Sequence, residues 1–146
     1  MTHTLSTPIL ITGGGTGGVA AAIAVARAGR RCVGTEPTAW VGGQLTAQAV
    51  PPDENQWIEG RDGIRSATAS YLDFRERVRA WMKTHRALTP EAMADAALNP
   101  GNGWVSRLCV EPAVAHAVLL EMLAPHVDAG LITVLLHHEP VDAEME

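Results

Sequence analysis

Five of the six residues at positions 13–18, GGGTGG, are glycine, and this cluster constrains the fold more than any other feature of the chain. Before it stands a short apolar run, PILIT at 8–12, which is typical of a strand buried on both faces of a parallel sheet. After it, residues 17–28 are mostly small helix formers, and Gly29 stands where a glycine commonly follows a helix. The cluster therefore marks a turn from a strand into a helix that can lie close against a sheet.

A second strand is predicted in the segment RRCVGTE at 30–36. Gly34 weakens this strand, because glycine packs no side chain and costs entropy there. The opening of the chain is thus predicted to be a β-α-β unit.

The glycines satisfy the pattern G-x-G-x-x-G, and they lie directly after a strand and at the opening of a helix, as in the dinucleotide-binding fingerprint. Gly13 would permit the tight turn, Gly15 would let the backbone approach a pyrophosphate, and Gly18 would let the helix pack closely on the strand. Glu36, 18 residues past Gly18, is the acidic residue expected to bind an adenosine ribose. The fingerprint serves both NAD and FAD, and these residues leave that choice open.

The rest of the chain alternates loops and helices before a final strand. Residues 37–65 are too polar and too rich in turn residues for one regular element, and so long a loop usually carries function. An amphipathic helix is predicted over 66–86, with charged residues such as Arg75 and Arg79 mostly on faces away from its apolar side. Three further elements are predicted: a short helix from Thr89 and Pro90, a helix from Pro112 to just before Gly130 that Pro125 kinks or divides, and a buried strand over 131–138.

Composition limits the class of protein. A length of 146 residues with 47% hydrophobic and 18% charged residues indicates one globular domain spanning 1–146. The net charge of −5 argues against nucleic-acid binding, and the sequence contains no basic cluster for an anionic membrane. Two cysteines far apart in the sequence and a start without a signal peptide or membrane span lead us to expect a cytoplasmic protein.

Several other residues carry side chains that could act in a functional site. Cys109 could serve as a redox thiol, although a lone cysteine among apolar residues is more often a small buried hydrophobe, and Cys32 is expected in the core. Arg107 could bind an anion or be structural, and Trp40 and Trp104 could line a cofactor cleft or cap a core. The histidines show no metal-binding spacing, since His137 and His138 would point to opposite faces of the final strand and His116 and His126 are ten residues apart.

Four segments together resemble the N-terminal part of bacterial FAD-dependent oxidoreductases, in the glutathione-reductase-like FAD-binding superfamily. They are GGGTGGVAAAIAVARAG, WVGGQLTAQ, PPDENQWIE and NPGNGWVSRLCVEP, and the resemblance spans most of residues 8–141. It implies a Rossmann-type α/β fold with a parallel sheet, here an incomplete FAD-binding domain with a helical insertion. Gly34 and Thr35 depart from the family's pattern, which has aliphatic residues before the glutamate.

The resemblance also implies the cofactor and the residues that bind it. Glu36 would bind the adenosine ribose, Gly42, Gly43 and Gln44 would lie toward the ribityl-flavin side, and the end of the third strand near Val141 would meet the adenine through its backbone. The turn would hold the FAD pyrophosphate, with the cofactor-binding residues there being Gly13, Gly14, Gly15, Thr16, Gly17 and Gly18.

Family members are several times longer, so we expect this chain to be a truncated or split FAD-binding module of an oxidoreductase. Electrons or a hydride would pass through the flavin to or from a small-molecule substrate that the sequence does not identify, and no catalytic residue is assigned. The module could require a missing C-terminal segment or form a homo-oligomer. Two alternatives are an NAD-binding dehydrogenase domain and a catalytically inert interaction module.

Overall fold

The computed structural model describes residues 4–60 and 66–144 and has an α/β architecture, as predicted. Its described residues form two compact units, one within 1–43 and 120–146 and the other within 44–119. The three strands are β1 (Leu10–Thr12), β2 (Cys32–Glu36) and β3 (Ile132–Leu136). The helices are α1 (Thr16–Arg27), α2 (Gln44–Ala47), α3 (Ala69–His85), α4 (Pro90–Ala94) and α5 (Pro112–Asp128).

The first unit contains a parallel sheet in the order β1-β2-β3. Leu10 is in register with Val33 in the first strand pair, and Cys32 is in register with Ile132 in the second. The helical crossover between β1 and β2 is α1, as parallel strands require. The prediction of a Rossmann-type parallel α/β unit is confirmed.

The prediction that the first and last strands are buried was wrong. Leu10 in β1 is 38% exposed, and in β3 only Ile132 is buried. Both strands lie at edges of the three-stranded sheet, where a side chain has a neighbouring strand on one side only. The central strand β2 is mostly buried, and Cys32 lies in the core as expected.

The first helix packs on the sheet through small side chains. Val19, Ala22, Ile23 and Ala26 are buried, and α1 contacts all three strands. A Cβ added at Gly18 would lie 1.9 Å from the carbonyl oxygen of Gly13, so the start of α1 can stand this close to the turn only because residue 18 has no side chain.

In the second unit, α3 begins at Ala69, three residues after the start of the predicted segment, and it buries more than its apolar side. The hydroxyl of Thr68 accepts a hydrogen bond from the N–H of Tyr71 and caps the helix. Arg75 is fully buried and Arg79 is 8% exposed, so these two arginines do not lie away from the buried side of the helix as expected. Both arginines have carboxylate partners in the loop before the helix, which makes their burial possible.

The first of these partners is Asp53. Its carboxylate accepts hydrogen bonds from the Tyr71 hydroxyl at 2.7 Å, from the Ser106 hydroxyl at 3.0 Å and from the Arg75 guanidinium. Burial raises the pKa of Tyr71 well above its ordinary value, and the Asp53 carboxylate beside it adds to that shift. Asp53 thereby ties its loop to α3 and to the segment that contains Ser106.

Glu59 is the second partner. It accepts from Nε of Arg75 at 2.9 Å and from Nη2 of Arg79 at 2.5 Å. Tyr71, Arg75 and Arg79 follow one another at intervals of four residues, which places them on one face of α3. This face holds the loop through charge-assisted hydrogen bonds.

The remaining elements follow the predictions with three differences. Thr89 caps α4 and Pro90 is its first residue, as expected. Pro125 does not divide α5, since it lies in the last turn and the one backbone N–H it removes is close to the helix end. The loop was predicted over 37–65, of which residues 61–65 lie outside the described residues, and its described part contains the single-turn helix α2. The strand β3 ends before His137 and His138.

No helix among residues 4–60 and 66–144 combines the length and the apolar character that a membrane crossing requires.

Replacing Gly18 with Ala is expected to lower the free energy of unfolding by about 1 to 3 kcal/mol or more, because the added Cβ meets backbone that cannot move aside. Gly17→Ala is the matched control. A Cβ at Gly17 meets nothing within 4 Å, so the variant is expected to be within about 1 kcal/mol of the parent. Urea unfolding followed by circular dichroism measures both, and equal stabilities would contradict the described contact.

Replacing Arg75 with Met is expected to cost about 3 to 5 kcal/mol, because it removes the buried guanidinium that pairs with both Asp53 and Glu59. Glu59 then keeps its contact with Arg79, and Asp53 keeps the neutral hydroxyls of Tyr71 and Ser106. Arg77→Met is the control, since the Arg77–Asp73 pair is exposed and such pairs contribute about 0 to 1 kcal/mol. The two variants are compared by urea unfolding. A similar loss in both would show that the buried network does not stabilise the second unit.

Candidate functional site

The glycine turn presents open backbone at the start of α1. Gly13 has φ of +89°, a conformation that glycine adopts without strain. Gly15 is the N-cap residue of the 12-residue helix, and a Cβ added there would meet nothing within 4 Å. The first N–H groups of a helix have no partner within it and carry the positive end of its dipole. The space beside Gly15 is therefore suited to an anion that approaches the backbone.

The second glycine pair packs directly on this turn. The N–H of Gly42 donates to the carbonyl oxygen of Gly14 at 2.8 Å, and the Thr16 hydroxyl donates to the carbonyl oxygen of Gly42 at 2.9 Å. Gly43 has φ of +53°, and a Cβ on it would lie 3.1 Å from Cα of Gly15. The sequence offered no signal for this pairing beyond the two glycine groups themselves.

Glu36 stands at the carboxyl end of β2 and is bound to the turn. Its Oε2 accepts from the N–H of Gly14 at 3.0 Å, and its Oε1 accepts from the N–H and hydroxyl of Thr38 at 2.9 and 2.7 Å. Burial by itself would raise the pKa of Glu36, but these three hydrogen bonds outweigh it and hold that pKa below its ordinary value. At neutral pH the group is an ionised hydrogen-bond acceptor.

Residue 14 is glycine because Glu36 occupies the space where a side chain would lie. A Cβ at Gly14 would lie 2.9 Å from Cβ of Glu36 and 3.1 Å from its Oε2. Thr38 was missed by sequence reasoning, although a threonine two residues after an acidic residue is a recognisable local donor. The structure thus brings Gly14, Glu36 and Thr38 into direct contact.

Val141 and Gln44 are two further residues that the sequence predicts to bind the cofactor. The third strand ends at Leu136, so the expectation that its end lies near Val141 was wrong, and Val141 is 79% exposed. The chain after β3 instead borders the glutamate through the N–H of His137, which donates to Thr38 O, and that of His138, which donates to Glu36 O. Gln44 begins α2 in the second unit.

The second unit contains three other candidates, Cys109, Arg107 and Trp104. Cys109 is buried, with its N–H donating to Oδ1 of Asn99 at 2.6 Å, which agrees with its interpretation as a small hydrophobe. Arg107 is exposed and donates from Nε to the carbonyl oxygen of Gln56. Trp104 is 83% exposed. Across the part of the chain that the structure describes, no group of three or more metal-binding side chains comes together.

A glycine turn between a strand and a helix, with an acidic residue at the end of the adjacent parallel strand, defines a nucleotide-binding unit of the Rossmann type. The chain matches the family described as FAD dependent oxidoreductase over residues 8–146, and it belongs to that family. The predicted family, the predicted oxidoreductase class and FAD as the cofactor are confirmed. No curated protein and no solved structure matches the chain.

Replacing Glu36 with Gln is expected to change how stability depends on pH. Because the folded state holds the pKa of Glu36 below its ordinary value, the carboxylate contributes stability that is complete above about pH 5 and is lost as the pH falls through the lowered pKa. The parent should therefore lose more unfolding free energy than Glu36→Gln on going from pH 7 to pH 3. Urea unfolding at both values measures this, with Glu121→Gln on the exposed side of α5 as control. If the difference in unfolding free energy between the parent and Glu36→Gln were the same at pH 7 and pH 3, the described hydrogen bonds would be contradicted.

Proposed function

We propose that this chain is the module of an oxidoreductase that holds the adenosine diphosphate half of FAD, with electrons or a hydride passing through the flavin to or from a small-molecule substrate. The observation that carries the proposal is the open backbone at Gly15 beside the ionised carboxylate of Glu36. Bound FAD would supply the redox chemistry, while the protein supplies binding and orientation.

The turn fits a pyrophosphate on steric and electrostatic grounds. Nothing lies within 4 Å of where a side chain would stand at Gly15, and the first turn of α1 contains no acidic residue to repel a phosphate. Helix N-termini bind phosphates through backbone N–H groups and the helix dipole. We infer that Gly13, Gly14, Gly15, Thr16, Gly17 and Gly18 surround the pyrophosphate.

Glu36 fits a ribose for a different reason. An ionised carboxylate only accepts hydrogen bonds, and the hydroxyls of a ribose are donors. Its low pKa keeps this acceptor character throughout the neutral range. Because the N–H of Gly14 bonds Oε2, the acceptor is fixed next to the backbone that would bind the phosphates.

The flavin half of the cofactor is expected to lie beside the second glycine pair. Gly42 and Gly43 adjoin the turn, with Gly43 packed against Gly15, so the backbone of this segment is the nearest continuation of the proposed site within the first unit. We infer that it lies toward the ribityl chain. The adenine is expected near residues 137–138, whose N–H groups bond Thr38 and Glu36.

The test is a titration of the purified chain with FAD, NAD and ADP, followed by tryptophan quenching and by the visible spectrum of the flavin. Gly15→Val is expected to fold like the parent, because its side chain enters open space, and to weaken FAD and ADP by at least about tenfold, because that space is the proposed phosphate site. Ala20→Val, on an exposed position of α1, is the matched control and should bind like the parent.

Each outcome of the titration has a distinct meaning. Saturable binding of FAD with weaker binding of NAD supports the proposal. A preference for NAD would favour a dehydrogenase domain instead, and a folded parent that binds none of the three ligands would favour an inert interaction module. Unchanged FAD binding by Gly15→Val would show that the site lies elsewhere.

A further inference from the structure

The carboxylate of Glu36 has most of its acceptor positions already occupied by the protein. A carboxylate offers about four such positions, two on each oxygen. Oε1 accepts from the N–H of Thr38 at 2.9 Å and from its hydroxyl at 2.7 Å. Oε2 accepts from the N–H of Gly14 at 3.0 Å. Among residues 4–60 and 66–144 these are the donors to the carboxylate, so one position, on Oε2, is left for a ligand.

The Thr38 hydroxyl has one proton and two acceptors within reach. Oε1 of Glu36 lies 2.7 Å away and the carbonyl oxygen of Trp40 lies 3.0 Å away. The charged carboxylate is the stronger acceptor and the closer one, so the proton goes to Glu36. The N–H of Trp40, 3.2 Å from the hydroxyl oxygen, then donates to it and favours the same orientation.

Thr38 is itself held in place from the other side. The N–H of His137, just past the end of β3, donates to the carbonyl oxygen of Thr38 at 3.2 Å, and the N–H of His138 donates to that of Glu36 at 3.1 Å. The segment that orients the carboxylate is thus anchored to the sheet. The orientation of Glu36 is determined before any ligand binds.

We propose that Thr38 is a positioning residue that saturates Oε1 of Glu36, so that Glu36 recognises one hydroxyl of the adenosine ribose through Oε2 and not both hydroxyls. The inference rests on the proposed function, since it concerns how the same site recognises the ribose hydroxyls. It assigns a specificity-determining role to a residue that lies outside the glycine fingerprint.

The experiment compares the affinities of ADP, 2′-deoxy-ADP and 3′-deoxy-ADP, measured by displacement of FAD or directly by tryptophan quenching. In the parent, one deoxy analogue is expected to bind about tenfold more weakly than ADP, because it lacks the hydroxyl that Oε2 accepts. The other analogue should bind within about twofold of ADP. Equal losses for the two analogues would overturn the inference.

Thr38→Val removes the hydroxyl while keeping the shape of the side chain, and it opens an acceptor position on Oε1. The difference between the two deoxy analogues is expected to shrink in this variant, because Glu36 can then accept from both ribose hydroxyls. Thr38→Ser retains the hydroxyl and should restore the parent's discrimination. A Thr38→Val variant that discriminates like the parent would overturn the positioning role.

The ratio of the two analogue affinities separates this role from a structural one, since a general loosening of the site would weaken all three ligands together. A folded parent that binds neither FAD nor ADP would overturn the proposed function and this inference with it. ADP binding with equal loss for both analogues would overturn the inference alone.

Discussion

The first unit depends on how closely α1 approaches the turn that precedes it. With no side chain at Gly18, the helix begins against the carbonyl oxygen of Gly13, at a distance that no other residue would allow. This approach places the positive end of the helix next to the carboxyl ends of β1 and β2, where Glu36 stands. The absence of a side chain at Gly18 therefore allows both the packing of α1 on the sheet and the geometry of the proposed phosphate site.

The glycines of this region divide into two groups by what surrounds them. Gly14, Gly18 and Gly43 are needed because other parts of the protein lie where a side chain would go, namely Glu36, Gly13 and Gly15. At Gly13, Gly15 and Gly17 a side chain would meet open space instead. Only the second group leaves room for a ligand, so the fingerprint combines internal packing with an approachable surface.

The second unit uses a different means of fixing a polar loop. The loop that contains Asp53 and Glu59 is held by the arginines of α3 through buried, hydrogen-bonded charge pairs. A helical wheel assigns Arg75 to solvent because it considers only residues along the helix. The partners stand 16 and 22 residues earlier in the chain, so no local pattern could have shown that this side chain is buried.

The sequence by itself determined the features that depend on neighbouring residues: the strand–turn–helix order around the glycines, the caps at Thr89 and Gly29, and the acidic residue at the end of the second strand. Tertiary structure decided which strands are exposed, why Gly14 and Gly43 must be small, and that Thr38 and His138 surround Glu36. The reason is that local propensities and spacing act within a few residues, whereas exposure, steric contact and the sharing of hydrogen bonds arise only when distant segments meet.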